Sequence, residues 1–91
     1  MSTKEKTSYA NEVEEQLLDL KSLILYNDDH NTFDYVIETL IDVCEHDPMQ
    51  AENCAMIAHF KGKCPVKSST DKELIPYFKE MTNRELTVEI K

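Results

Sequence analysis

A small antiparallel sheet with helices packed on one face, an α+β layer fold, is what this 91-residue sequence predicts. Three observations carry the expectation. Leu23-Ile24-Leu25-Tyr26 is an apolar run of strand character, and Leu86-Thr87-Val88-Glu89-Ile90-Lys91 alternates strictly between apolar and polar. Between them, Phe33, Val36, Ile37, Leu40, Ile41 and Cys44 recur at helical spacing. Read from end to end, the order is strand, helix, helix, strand, helix, strand.

The first ten residues are polar and read as a tail. Asn11 to Leu20 is acidic, with Val13, Leu17 and Leu20 able to form one amphipathic turn; residues 1–20 are expected to be a flexible extension and 21–91 the domain. The Leu23–Tyr26 strand gives way to five polar residues, Asn27-Asp28-Asp29-His30-Asn31. Asn31 is placed to cap the first helix, with Asp34 in its first turn, where negative charge suits the helix N-terminus. The second helix is expected from Pro48 to Phe60. Asp47 caps it, Pro48 suits its first position, and Gly62, the only glycine, ends it in a left-handed turn. Ala51, Cys54, Ala55 and Ala58 line one face of that helix, small enough for another element to approach closely. Cys64 to Lys67 reads as a short strand, at a sheet edge because Pro65 has no N–H to donate. Ser68 to Asp71 turns into a third helix carrying Leu74, Phe78 and Met81. Pro76 conflicts with it, since a proline inside a helix costs about 3 kcal/mol. The helix either begins late or is kinked there. In the last strand Leu86, Val88 and Ile90 face the core.

Composition narrows the function. The net charge of −8 argues against nucleic acid, whose phosphates need Lys and Arg, and weakly favours a cationic partner. No apolar run is long enough to span a bilayer and no signal-peptide pattern is present, so a cytoplasmic protein without a membrane partner is expected. The three cysteines cannot all pair, and their spacing fits no zinc pattern. Cys44 and Cys54 fall on apolar helix faces as small buried hydrophobes.

The polar cluster after the first strand is the feature that a plain connecting turn does not need, because two adjacent aspartates repel. Asp28, Asp29 and His59 lack a recognisable metal-ligand spacing, so no metal is expected. No nucleophile, oxyanion-hole motif or cofactor loop accompanies them, so neither catalysis nor a cofactor is expected. A third candidate chemistry is recognition of a protonated amine. An α-amino group has a pKa near ~8 and carries three N–H donors as an ammonium. Asn27 offers an amide oxygen, Asp29 a carboxylate and neutral His59 a ring nitrogen.

Asn27-Asp28-Asp29 followed by a helix reading F-D-Y-V-I-E-T-L resembles the ClpS adaptors of bacterial Clp proteases. His59-Phe60-Lys61-Gly62-Lys63 is similar to the H-x-x-G-K that closes the family's second helix, and the spacing between the two motifs fits without a gap. The likeness is good from about Leu23 to Lys63 and looser beyond. It implies a three-stranded antiparallel sheet with three helices, and a mobile N-terminal extension engaged by the partner unfoldase. It implies an adaptor, not an enzyme, that binds proteins with a bulky hydrophobic first residue (N-degrons; Phe, Tyr, Trp or Leu). These pass to a Clp AAA+ unfoldase of ClpA or ClpC type and its ClpP peptidase, with the adaptor acting as a monomer.

By the same resemblance the substrate's α-amino group is held by Asn27, Asp29 and His59, with Asp28 helping through the substrate backbone or the loop. The side-chain pocket is implied at Leu25, Asn31, Phe33, Val36, Ala55, Ala58 and Leu86. Here the sequence departs from the family. The usual methionine at the pocket mouth is Phe33, the usual methionine of the second helix is Ala55, and a usual valine is Ala58. Asn31-Thr32 stands for threonine-proline. The alternative is an interaction module of the same fold without an amine pocket, like the C-terminal domain of the ribosomal stalk protein, which does not need the Asn-Asp-Asp plus His set. The related domain of eukaryotic N-recognin ubiquitin ligases is a third reading.

Overall fold

The structure, a computed structural model, describes residues 19–91. The expected extension, with its turn around Val13 and Leu17, lies outside the described residues except for Asp19 and Leu20. Six elements follow in the expected order: β1 (Leu20–Tyr26), α1 (Phe33–Cys44), α2 (Pro48–Lys61), β2 (Lys63–Thr70), α3 (Asp71–Asn83) and β3 (Val88–Ile90). The sheet runs β2-β1-β3, antiparallel throughout, so the first strand is central. Its alternation explains the layer arrangement. Leu23 and Leu25 are buried on the helix side, while Ser22, Ile24 and Tyr26 between them are only half-buried.

The core lies between that face and the helices. Leu40 and Cys44 of α1, Ala51 and Ala58 of α2, and Leu74 and Met81 of α3 close over Leu23 and Leu25. Burying each leucine contributes about 1.5–3 kcal/mol. The small residues of α2 let α1 and β2 pack directly against it. Cys44 and Cys64 are buried and Cys54 half-buried, all as free thiols. Burial pushes the Cys44 thiol up to about 11 and the Cys64 thiol up to about 12, so both stay protonated at neutral pH. None of the helices in the described residues is long and apolar enough to cross a membrane.

Four local expectations are corrected. Thr32, not Asn31, caps α1: its Oγ1 accepts from the Tyr35 N–H at 3.1 Å. Asn31 is held elsewhere, by Asp28 and Glu85. The first strand starts three residues before Leu23, and β2 runs on through Ser68, Ser69 and Thr70, because those two stretches pair with each other. The polar side chains of Ser68, Ser69 and Thr70 are compatible with an edge strand, where pairing is a backbone matter. The third helix begins at Asp71 under a Thr70 cap, so Pro76 lies inside it. Finally, β3 is only Val88–Ile90, flanked by the Tyr26 N–H bond to Thr87 O and the paired Ser22–Lys91 bonds.

Other expectations hold. Asp47 caps α2 through the Gln50 N–H at 2.9 Å, with Pro48 at its start. Gly62 ends the helix at φ 94°, its N–H donating to Ala58 O. A Cβ there would meet nothing within 4 Å, so glycine is required by the backbone angle and not by crowding. Pro65 sits on the edge strand beside an irregularity: Leu23 faces Lys67 and Ile24 faces Pro65, leaving Val66 as the extra residue of a bulge. His46, buried in the α1–α2 connection, places its Nε2 2.6 Å from the Val66 carbonyl oxygen and covers that point of the edge.

Candidate functional site

The loop Asn27–Asn31 leaves the end of the central strand and is held at both ends. The Asn27 N–H donates to Gly62 O at 2.9 Å, which ties the loop to the turn after α2. That bond brings the loop alongside His59, in the last turn of the helix. At the other end, Asp28 organises the backbone. Its Oδ1 accepts from the N–H groups of His30 (3.0 Å) and Asn31 (2.8 Å), an Asx-type turn. The Asn31 amide and the Thr87 hydroxyl donate to the same carboxylate, at 3.1 and 3.4 Å from its Oδ2. Burial pushes the Asp28 carboxyl up, but the bonds from Asn31, His30 and Thr87 outweigh it and hold the group below its ordinary value.

The turn between α3 and β3 braces the loop from outside. Glu85, left-handed at φ 68°, accepts the Asn31 Nδ2 on its backbone carbonyl at 2.8 Å, and its carboxylate lies 3.2 Å from His30 Nε2. Tyr35 of α1 donates its hydroxyl to Arg84 O at 2.9 Å. Arg84 in turn pairs with Glu80 and Asp42.

Beneath the loop is a cavity of about 430 Å³. Its apolar wall is made by Leu25 and Tyr26 of β1, Phe33 and Val36 of α1, and Ala55 and Ala58 of α2. Its polar lining is Asn27, Asp28, Asp29, Asn31 and His59. The structure therefore brings together every residue expected at the site except one. Leu86 does not line the cavity. Its N–H closes the end of α3 by donating to Met81 O, and its side chain is buried in the core. Tyr26 was not expected there; its hydroxyl donates to Glu89 of β3 at 3.4 Å.

The polar residues divide into two kinds. Asp28 and Asn31 are engaged in the loop itself. Asn27, Asp29 and His59 are exposed, and among the described residues none of their side chains has a hydrogen-bond partner. The His59 ring stands edge-on to Phe60, centroids 5.0 Å apart. So an unengaged carboxylate, amide and imidazole line one cavity together with apolar side chains. That set can accept from a cationic donor while apolar matter fills the rest. Among the described residues no three His, Cys, Asp or Glu side chains converge on a metal position.

The profile of the ATP-dependent Clp protease adaptor protein ClpS matches residues 19–89. The chain belongs to the ClpS family. It is accordingly a Clp protease adaptor, of a family that is not catalytic. Among solved structures, Agrobacterium tumefaciens ClpS2 bound to L-phenylalaninamide superposes with a TM-score of 0.76 at 23% identity, over 80% of this chain and 95% of that one. That likeness shows the ClpS fold, with its three helices and three-stranded antiparallel sheet. Comparison with curated protein sequences gives no match.

Proposed function

We propose that this ClpS protein recognises the free amino terminus of proteins whose first residue is bulky and apolar, and presents them to a Clp AAA+ unfoldase of ClpA or ClpC type for degradation by ClpP. Three polar side chains without a hydrogen-bond partner among the described residues, Asn27, Asp29 and His59, lining one cavity with Leu25, Phe33, Val36, Ala55 and Ala58 carry the reading. An α-ammonium offers three N–H donors, and these groups offer an amide oxygen, a carboxylate and a ring nitrogen. Asp28 acts through the loop: its carboxylate is already occupied by His30, Asn31 and Thr87, so it holds the others in position and does not take the amine. The ligand of ClpS2, L-phenylalaninamide, has the same two features, a free α-amino group and an apolar ring. The −8 charge of the chain favours approach of a cationic terminus.

Fluorescence anisotropy with two peptides that differ only in their first residue tests the proposal. A Phe-first peptide binds and a Ser-first peptide does not. Equal affinity for the two would remove the cavity from recognition.

A further inference from the structure

Asn31 carries a polar atom that neither the loop nor the amine site uses. Its two amide hydrogens point to Asp28 Oδ2, at 3.1 Å, and to the Glu85 carbonyl, at 2.8 Å. Both partners can only accept, so chemistry fixes which end of the amide is nitrogen. The carbonyl Oδ1 is then held in one orientation, and no donor among the described residues reaches it. His46 Nδ1 is the one buried side-chain N or O atom without a partner among the described residues, so Asn31 Oδ1, which has none either, is not fully buried. Asn31 is itself only part-buried and lines the cavity. Of the other polar groups in the lining, Asn27, Asp29 and His59 are those assigned to the amine, the Asp28 carboxylate is filled and the Tyr26 hydroxyl is turned to Glu89.

We infer that Asn31 is a specificity-determining residue: its fixed Oδ1 accepts from a donor on the ring of the substrate's first residue, favouring phenol and indole rings over plain phenyl. The inference rests on the proposed recognition of a first residue in this cavity. A phenyl ring entering the cavity displaces water from Oδ1 and offers nothing in return. A ring with an O–H or N–H restores the bond. A net hydrogen bond of ordinary strength at a partly open site makes the difference about 2- to 12-fold in Kd. The preference requires no contact from Asp28 or Glu85 with the substrate; they act by orienting the amide.

Two peptide pairs, each differing by a single ring donor, test this on the full chain by anisotropy. One pair begins with Tyr or Phe, the other with Trp or 1-methyltryptophan. At least one donor-bearing peptide of the two pairs binds about 2- to 12-fold tighter than its partner, and Asn31→Val reduces that ratio to one or below. The ratio in the natural protein decides the matter if Asn31→Val disturbs the loop. Donor-bearing and donor-free peptides binding equally in both pairs, while acetylated versions fail to bind, overturns this inference and leaves the proposed function standing. A ratio that persists in an Asn31→Val protein that binds normally also overturns it. Failure of all four peptides to bind overturns the proposed function and this inference together.

Discussion

Replacing either of two adjacent aspartates by alanine should have opposite consequences. Asp28→Ala removes a carboxylate that accepts from two backbone N–H groups, an amide and a hydroxyl. Loss of a side-chain acceptor of this capping kind costs about 0.5–2 kcal/mol. The Thr87 bond is long at 3.4 Å, and water can reach the part-buried loop, so a value near the middle, about 1 kcal/mol, is expected. For a domain of this size that lowers Tm by about 4–8 °C. Asp29 accepts no hydrogen bond among the described residues and is exposed, so Asp29→Ala should change stability by less than about 0.5 kcal/mol. Its effect is on binding: loss of a charged acceptor for an ammonium weakens an amine-bearing peptide by about 10- to 100-fold. The Asp28 contribution also has a pH signature. Its folded pKa is lowered, so the stability is present above the ordinary value of 3.8 and is lost as pH falls through the lower folded value. The gap between natural and Asp28→Ala melting curves therefore closes only in acid. Circular dichroism melts at neutral and acid pH, beside anisotropy titrations, read all of this. Equal Tm losses for the two variants, or a larger loss for Asp29→Ala, would refute the division of roles within the loop.

Three further outcomes follow from the same geometry. Ala55→Met fills part of the cavity, so Leu-first peptides gain on Trp-first ones, which natural Ala55 and Ala58 leave room for; Ile- and Val-first peptides bind poorly to both proteins because Cβ branching crowds the ring of Phe33. Gly62→Ala forces a Cβ into a left-handed residue at φ 94° and costs about 1–2 kcal/mol in a urea melt, without any clash to relieve. His59→Ala weakens binding of an amine-bearing peptide while leaving the melting curve nearly unchanged, because the exposed His59 ring has no hydrogen-bond partner among the described residues; a clearly lowered Tm would instead mark the residue as structural.

The parts of the fold that were legible in the sequence are those with a strong local period or a residue that fits one backbone role. The apolar face of α1, the Asp47-Pro48 start of α2 and the Gly62 stop are of that kind. The extent of the strands was not legible. Leu20–Ser22 and Ser68–Thr70 form sheet because they face each other, and neither has an apolar alternation of its own. At the site, the residues of the loop and α2 could be named because two motifs stand close in sequence to the elements that position them. The bracing turn could not. Glu85 and Thr87 meet the loop across more than fifty residues of chain, through contacts of a backbone carbonyl and an exposed hydroxyl that leave no pattern in composition. Leu86 shows the same limit from the other side. Its alternation with Val88 and Ile90 predicted a buried side chain, which it is, but which buried space it fills depends on where α3 ends.

The central claim is that Asn27, Asp29 and His59 hold a charged amino terminus. Titrating one Phe-first peptide in two forms, with a free and with an acetylated α-amino group, tests it most directly. Acetylation removes the charge and most of the donors while the ring is unchanged. Hydrogen bonds involving a charged group contribute about 1.5–3 kcal/mol each, so the acetylated form should bind weaker by at least about 100-fold. Equal binding of the two forms would contradict the account, since the cavity would then be reading the ring alone.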